Sequence, residues 1–236
     1  MKTSLEAALK DPKRGPSVRE SIFAEIENLD KPGVVKPIKR KNIPKELQKD
    51  IIGVHMFHKE KYKGDGSFDK DKCRIVLLSN LRDPESIGDT ICPTVNPISV
   101  MVQLNLAAVE SGTTISAYDI KSAFLETRIT DGKRMFIRVN PKVVKHWLER
   151  FPERKKWLEP DGCLYFELKS YVYGLHEASY EFNSLLDQRL KSIGFVTSKV
   201  DECLYVKKAK EGRMILSVHI DDMILTAPKR EMPAMV

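Results

Sequence analysis

"SVHIDDMILTAP", residues 217–228, sets two adjacent carboxylates, Asp221 and Asp222, in an apolar run, with Val218 and Ile220 before them and Met223, Ile224 and Leu225 after. The β-forming residues on both sides make two short strands, with the acid pair at the turn between them, the simplest local structure. Side chains alternate along a strand, so Ser217, His219 and Asp221 are expected on one face and Val218 and Ile220 on the other. Neighbouring carboxylates resist joint ionisation unless a cation lies between them. Mg²⁺, a hard ion that takes oxygen ligands and leaves room for phosphate oxygens, answers that need. Taken alone, the pair is a weak signal, and an Asp-Asp turn reads first as ordinary turn chemistry.

A third carboxylate changes the reading. In "TTISAYDIKSAFLETRI" the strand-like "TTISAY" runs into Asp119, and "IKSAFLE" then has a helix-compatible pattern, so Asp119 is expected at the carboxyl end of a strand. A two-metal phosphoryl-transfer site needs a few such oxygen donors on rigid strands, and they can lie far apart in sequence.

The rest of the chain frames these acids. Its 236 residues, 42% hydrophobic and 31% charged, suffice for one domain or two small lobes. No run approaches the length of a membrane span, and "MKTSLEAALKDPKRG" lacks the apolar core of a secretory signal, so an intracellular chain with no membrane partner is expected, cytoplasmic or nuclear. Cys73, Cys92, Cys163 and Cys203 form no C-x-x-C pair and read as reduced thiols. The charge excess is local: Lys31 to Arg82 carries fourteen Lys/Arg and six Asp/Glu, net +8, against +7 for the whole chain. Such a segment suits a polyanion, because neutralised phosphates release counterions; a solvated basic surface is the plainer alternative.

Three stretches follow from the pattern. Residues 1–50 join a helix around "SVRESIFAEIENL" to a Pro/Lys-rich connector, a helical and basic lead-in. Residues 51–97 hold two strands around "KGDGSFDKD", whose Asp-Gly signals a turn, giving a basic β-hairpin. Residues 98–236 hold a helix from Ile98 to Glu110, the Asp119 strand, extended "RMFIRVN", strand "CLYFEL", a helix from Ala178 to Ile193 stopped by Gly194, and the final hairpin. The pair "HMFH", His55 and His58, has no companion ligand cluster and is assigned no role.

From Glu20 to Ala227 the chain resembles the reverse transcriptase domain of copia-type LTR retrotransposons. "DKCRIVLLSN" resembles the basic fingers strand, "ICPTVNPISV" the lead into the palm, and "YDIKSAFLET" the first palm motif with its catalytic Asp. "CLYFELKSYVYGLHEASYEF" resembles the family's Leu-x-Lys-Ser-Leu-Tyr-Gly-Leu stretch, "GFVTSKVDECLYV" its continuation, and "SVHIDDMIL" the Tyr-Val-Asp-Asp hairpin. The resemblance implies an α+β fold of right-hand fingers and palm, the palm an antiparallel sheet flanked by helices. It implies RNA- and DNA-templated DNA synthesis, with RNA or DNA template, DNA primer, deoxynucleoside triphosphates and other polyprotein domains as partners.

By matching position, Asp119 and Asp221 would bind catalytic Mg²⁺, with Mn²⁺ as a substitute, and Asp222 would complete the triad. Arg74, with Lys72 beside it, would grip the nucleotide's phosphates. Phe124 would crowd a ribose 2′-hydroxyl, Tyr173 and Gly174 would floor the nucleotide pocket, and His219 would lie near the primer end. Three departures stand out: His219 replaces the usual Tyr, "HEAS" the usual Lys-Gln-Ala-Pro, and "LSNLRD" a Gly-containing continuation. The sequence ends at "PKREMPAMV", just past the hairpin, so thumb and RNase H are expected to be absent and processivity poor. A degenerate or domesticated fragment that binds nucleic acid or scaffolds without turnover is the rival reading.

Overall fold

The computed structural model describes residues 4–82, 87–130 and 132–232. The chain divides into two compact units that interleave: residues 1–88 with 124–178, and residues 89–123 with 179–236. The chain therefore crosses between the units three times, after residues 88, 123 and 178, and residues 124–178 return to the first unit.

The first unit is built on a five-stranded mixed sheet of order β1-β6-β5-β2-β3, from β1 (Val35–Ile38), β2 (Ile52–Tyr62), β3 (Phe68–Leu77), β5 (Met135–Val139) and β6 (Leu164–Leu168). β2 and β3 form the expected hairpin, closed through Gly66 at φ +81 with Lys63 N–H bonded to Ser67 O (2.8 Å). Along β3, Asp71, Cys73, Ile75 and Leu77 are buried and the residues between them are half-exposed, the period-two signature of a strand with one covered face. Helix α2 (Gly15–Leu29) covers β3, burying Val18, Ile22, Ile26 and Leu29 at helical spacing. Its C-cap Asp30 accepts from the buried Trp147 Nε1 (2.8 Å) and from Arg154 Nε (2.9 Å), tying α2 to helix α4 (Pro141–Arg150) and the turn after it. The Pro/Lys-rich connector holds no regular helix, as expected, but Val35–Ile38 pairs with β6 as an edge strand.

The second unit carries an all-antiparallel sheet of order β4-β10-β9-β8-β7: β4 (Thr113–Asp119), β7 (Val196–Thr197), β8 (Leu204–Ala209), β9 (Gly212–His219) and β10 (Asp222–Pro228). Helix α3 (Pro97–Val109) starts on Asn96, whose side chain accepts from Ile98 N–H, with Pro97 at the first helical position, where a missing N–H costs nothing. Gln103 fixes α3 to the sheet: buried, it donates from Nε2 to both Ile215 O and Ile224 O (2.9 Å each). Helix α5 (Ala178–Ser192) ends before Gly194 at φ +92, close to the expected stop, and its Asp187 accepts from Tyr205 Oη (3.1 Å). The helix expected after Asp119 is only a 3₁₀ turn, Ala123–Glu126, because Ser122 at φ +56 breaks the helical path. Among the described residues no helix is long and apolar enough to cross a membrane.

Candidate functional site

The acid pair sits where β9 turns into β10, and the turn decides which acid faces what. His219 pairs with Asp222, leaving Ile220 and Asp221 as the two central residues. Ile220 has φ +59 and Asp221 is not left-handed, the pattern of a type II′ turn with glycine's position filled by a β-branched residue. Left-handed β-branched residues are rare and costly, and they concentrate at functional turns. The register also sets Asp222 opposite Asp119 on β4. Side chains directly opposite on adjacent strands share a face, with Cβ atoms about 5 Å apart. Asp119, Asp222 and His219 thus form one row across three strands, and Asp119 and His219 are exposed.

This corrects the expected strand face of Asp221. Alternation stops at a turn, so Asp221 does not share a strand face with His219; it flanks the row, half-exposed, its carbonyl accepting Ile120 N–H (3.1 Å). Asp222, not Asp221, is the strand neighbour of Asp119. The donor chemistry of the row, hard carboxylate oxygens beside open solvent, fits a divalent cation. No group of three metal-ligating side chains is gathered among the described residues, so the pair offers only part of a coordination shell.

In the first unit, Arg74, Phe124, Tyr173 and Gly174 come together although up to 100 residues separate them. The Arg74 guanidinium lies 5.0 Å from the Tyr173 ring centroid, and Phe124 meets the same ring edge-on at 4.7 Å and 67°. Gly174 has φ +95, and a Cβ there would lie 2.3 Å from Leu77 O, so only glycine lets this loop pass against β3. Two further ties hold it: Leu77 N–H donates to Tyr173 O (3.0 Å), and Ser79 Oγ donates to Gly174 O. Below, Arg82 Nη1 reaches both oxygens of the buried Glu177 (2.9 Å each).

Residues 39–233 match the family described as "Reverse transcriptase (RNA-dependent DNA polymerase)". The chain belongs to this reverse transcriptase family. It is 26% identical over 178 residues, 75% of its length, to the Retrovirus-related Pol polyprotein from transposon RE1 of Arabidopsis thaliana, and 24% identical over 226 residues, 94% of its length, to that from transposon TNT 1-94 of Nicotiana tabacum. A third similarity, 27% identity over 110 residues, 47% of the chain and 31% of the relative, is to the putative transposon Ty5-1 protein of Saccharomyces cerevisiae. The chain spans 11% of the RE1 polyprotein and 15% of the TNT 1-94 polyprotein. The RE1 and TNT 1-94 relatives are copia-type, as the motif order indicated.

In this reverse transcriptase chain the basic excess acquires a geometry that counting could not supply. The β2–β3 register sets Lys59 opposite Lys72, Lys61 opposite Lys70 and Phe57 opposite Arg74, so five cations crowd one face of the hairpin. Like charges directly opposite destabilise a sheet, and an anionic partner relieves the cost. Burial, with repulsion from Arg74, Lys61 and Lys70, pushes the Lys72 ammonium below its ordinary pKa, Glu25 working the other way. On the opposite face, His58, left without a role by its sequence, bonds through Nε2 to Asp71 Oδ1 (2.7 Å), both side chains 1% exposed. Burial alone would raise the Asp71 carboxyl, but bonds from Arg14 and His58 outweigh it and hold it low. No local sequence signal marks this network: Arg14 and His58 meet Asp71 from 57 and 13 residues away.

Proposed function

We propose that this chain is the catalytic part of an RNA-directed DNA polymerase, the unit with the basic hairpin acting as fingers and the unit with the acid row as palm. The observation that carries the proposal is the register match of Asp119 to Asp222 beside a strained turn holding Asp221. These carboxylates would hold two Mg²⁺ ions, or Mn²⁺, which when bound supply charge neutralisation at phosphate and a more acidic primer hydroxyl. Asp119 and Asp222 hold negative charge at one face of rigid strands, and the bonded β4–β10–β9 ladder fixes their spacing. Arg74, its guanidinium steadied over Tyr173, presents planar donors suited to triphosphate oxygens, and Lys72 adds a second cation. Phe124 is 7% exposed and acts as a steric gate for deoxynucleotides at one remove, by fixing the Tyr173 ring. Gly174 sets the height of that floor, and His219 lies beside the acids where a primer end would rest. The hairpin face with Lys59, Lys61, Lys70, Lys72 and Arg74 binds template and primer backbone.

A second reading, a nucleic-acid-binding or scaffolding module without turnover, is favoured by one observation: no three-donor group is gathered among the described residues. Primer extension on a homopolymeric RNA template with Mg²⁺ separates the two. Incorporation by the chain that disappears in the Asp221→Asn, Asp222→Asn form, with template binding kept, supports polymerisation. Template binding with no incorporation by either form supports the second reading and sinks the first.

A further inference from the structure

Past Gly53, β2 has a strand on one side only, because β5 pairs with it at Ile52 and Gly53 and nowhere further. Leu78 N–H donates to Gly53 O on the β3 side (2.9 Å). Antiparallel ladders alternate, so His55, Phe57 and Lys59 also turn their backbone groups to β3, while Val54, Met56, His58 and Glu60 turn theirs outward. The outward carbonyl of Val54 indeed accepts from Asn140 Nδ2 (2.9 Å). The outward groups of Met56, His58 and Glu60 take no bond from a loop, cap or side chain among the described residues.

A trough of about 1000 Å³ runs along this edge. Residues 55–60 all line it, which alternating side chains allow only if the edge of the strand, not a face, is turned to the trough. Lys142, Lys145 and His146 of α4 form the far wall, and Leu5 and Leu9 of helix α1 (Leu5–Lys10) add apolar surface. Of the two acids in the lining, Glu60 is taken by Arg14 (2.7 Å), which leaves Glu6. Lys59, Lys142 and Lys145 stand in no ion pair among the described residues, so the trough is cationic. His146 is 7% exposed, yet its Nδ1 has no hydrogen-bond partner, and the nearest carboxylate oxygen, on Glu149, is 3.9 Å away.

We propose that this trough binds an extended acidic peptide, which adds to the open edge of β2 as a further strand while its carboxylates meet Lys59, Lys142 and Lys145. Strand addition uses the unpaired N–H and C=O groups for affinity and side-chain pockets for specificity. A nucleic acid would satisfy the lysines but has no backbone that matches two-residue strand spacing.

The test is fluorescence anisotropy of the full chain with a dye-labelled, acetylated and amidated heptapeptide alternating glutamate and valine. We expect saturable binding, about tenfold weaker for the same peptide N-methylated at alternate residues, and about tenfold weaker again for the parent peptide with the Lys142→Glu, Lys145→Glu chain. The N-methylated arm uses the unaltered chain, so it holds even if the variant folds poorly. Equal binding of the N-methylated peptide, no binding at millimolar concentration, or single-stranded oligonucleotide binding that falls by the same factor in the Lys142→Glu, Lys145→Glu chain overturns the proposal.

Discussion

Gly174 shows how one residue type can be fixed by a backbone approach rather than by chemistry. A methyl group there would meet Leu77 O at 2.3 Å and Leu77 N at 2.6 Å, in a conformation that side-chain-bearing residues avoid. Gly174→Ala should therefore destabilise the first unit by roughly 3 kcal/mol or more, beyond the ordinary cost of a point change. Both tryptophans, Trp147 and Trp157, lie in that unit, so their fluorescence in a urea titration reads it directly. A loss under about 1 kcal/mol would show that the loop can move off β3. His146 makes a second residue-scale case. Burial first, then Lys145 and Arg19, hold its imidazole below the ordinary histidine pKa against the pull of Glu149. The unfolded chain then binds a proton that the folded unit resists, so stability is intact above the unfolded value near ~6.5 and falls as pH drops from there toward the depressed folded value. Its slope cannot exceed about 1.4 kcal/mol per pH unit for one proton. His146→Gln should flatten the dependence between about pH 5 and 7; an unchanged slope means another group carries it.

At the scale of elements, legibility followed the locality of the signal. The β2–β3 hairpin, α3 and the Asp119 strand could be read because period and turn residues lie within a few positions of one another. Helix α4 is hard to read from sequence although Asn140-Pro141 is a cap followed by a favoured first residue, because its amphipathic run is short and follows a strand directly. The acid row was half legible. Sequence placed the pair at a turn, but only the pairing register of β10 with β4 sets Asp222 opposite Asp119. The meeting of Arg74 with Tyr173 was legible through family motifs alone, since no local pattern joins residues 99 positions apart. The hairpin carries its own prediction. Because Lys61 stands opposite Lys70, Lys61→Glu turns a repulsive cross-strand pair into an attractive one. The urea midpoint of the first unit should rise, by less at 1 M salt than at low salt, while affinity for single-stranded RNA falls. A midpoint unchanged at low salt would mean the paired ammoniums already splay apart.

For the whole molecule, charge is the property that neither unit shares equally. The segment from Lys31 to Arg82 nets +8 while the complete chain nets +7, so everything outside it is close to neutral. That segment lies within the first unit, and the acid row lies in the second. Polyanion affinity should therefore reside in the hairpin face and be separable from the acid row. If Lys59, Lys61, Lys70, Lys72 and Arg74 each neutralise one phosphate of single-stranded RNA, the plot of log K against log salt should have a slope of about −3.5. Lys61→Glu combined with Lys70→Glu removes two of those contacts and should bring the slope to about −2.1. Asp221→Asn with Asp222→Asn should leave the slope where it was, because it alters neither the hairpin nor its counterions. Anisotropy titrations from 50 mM to about 300 mM salt resolve a difference of that size. A slope unmoved by the two lysine substitutions would place the binding surface elsewhere on the chain and remove the fingers assignment with it.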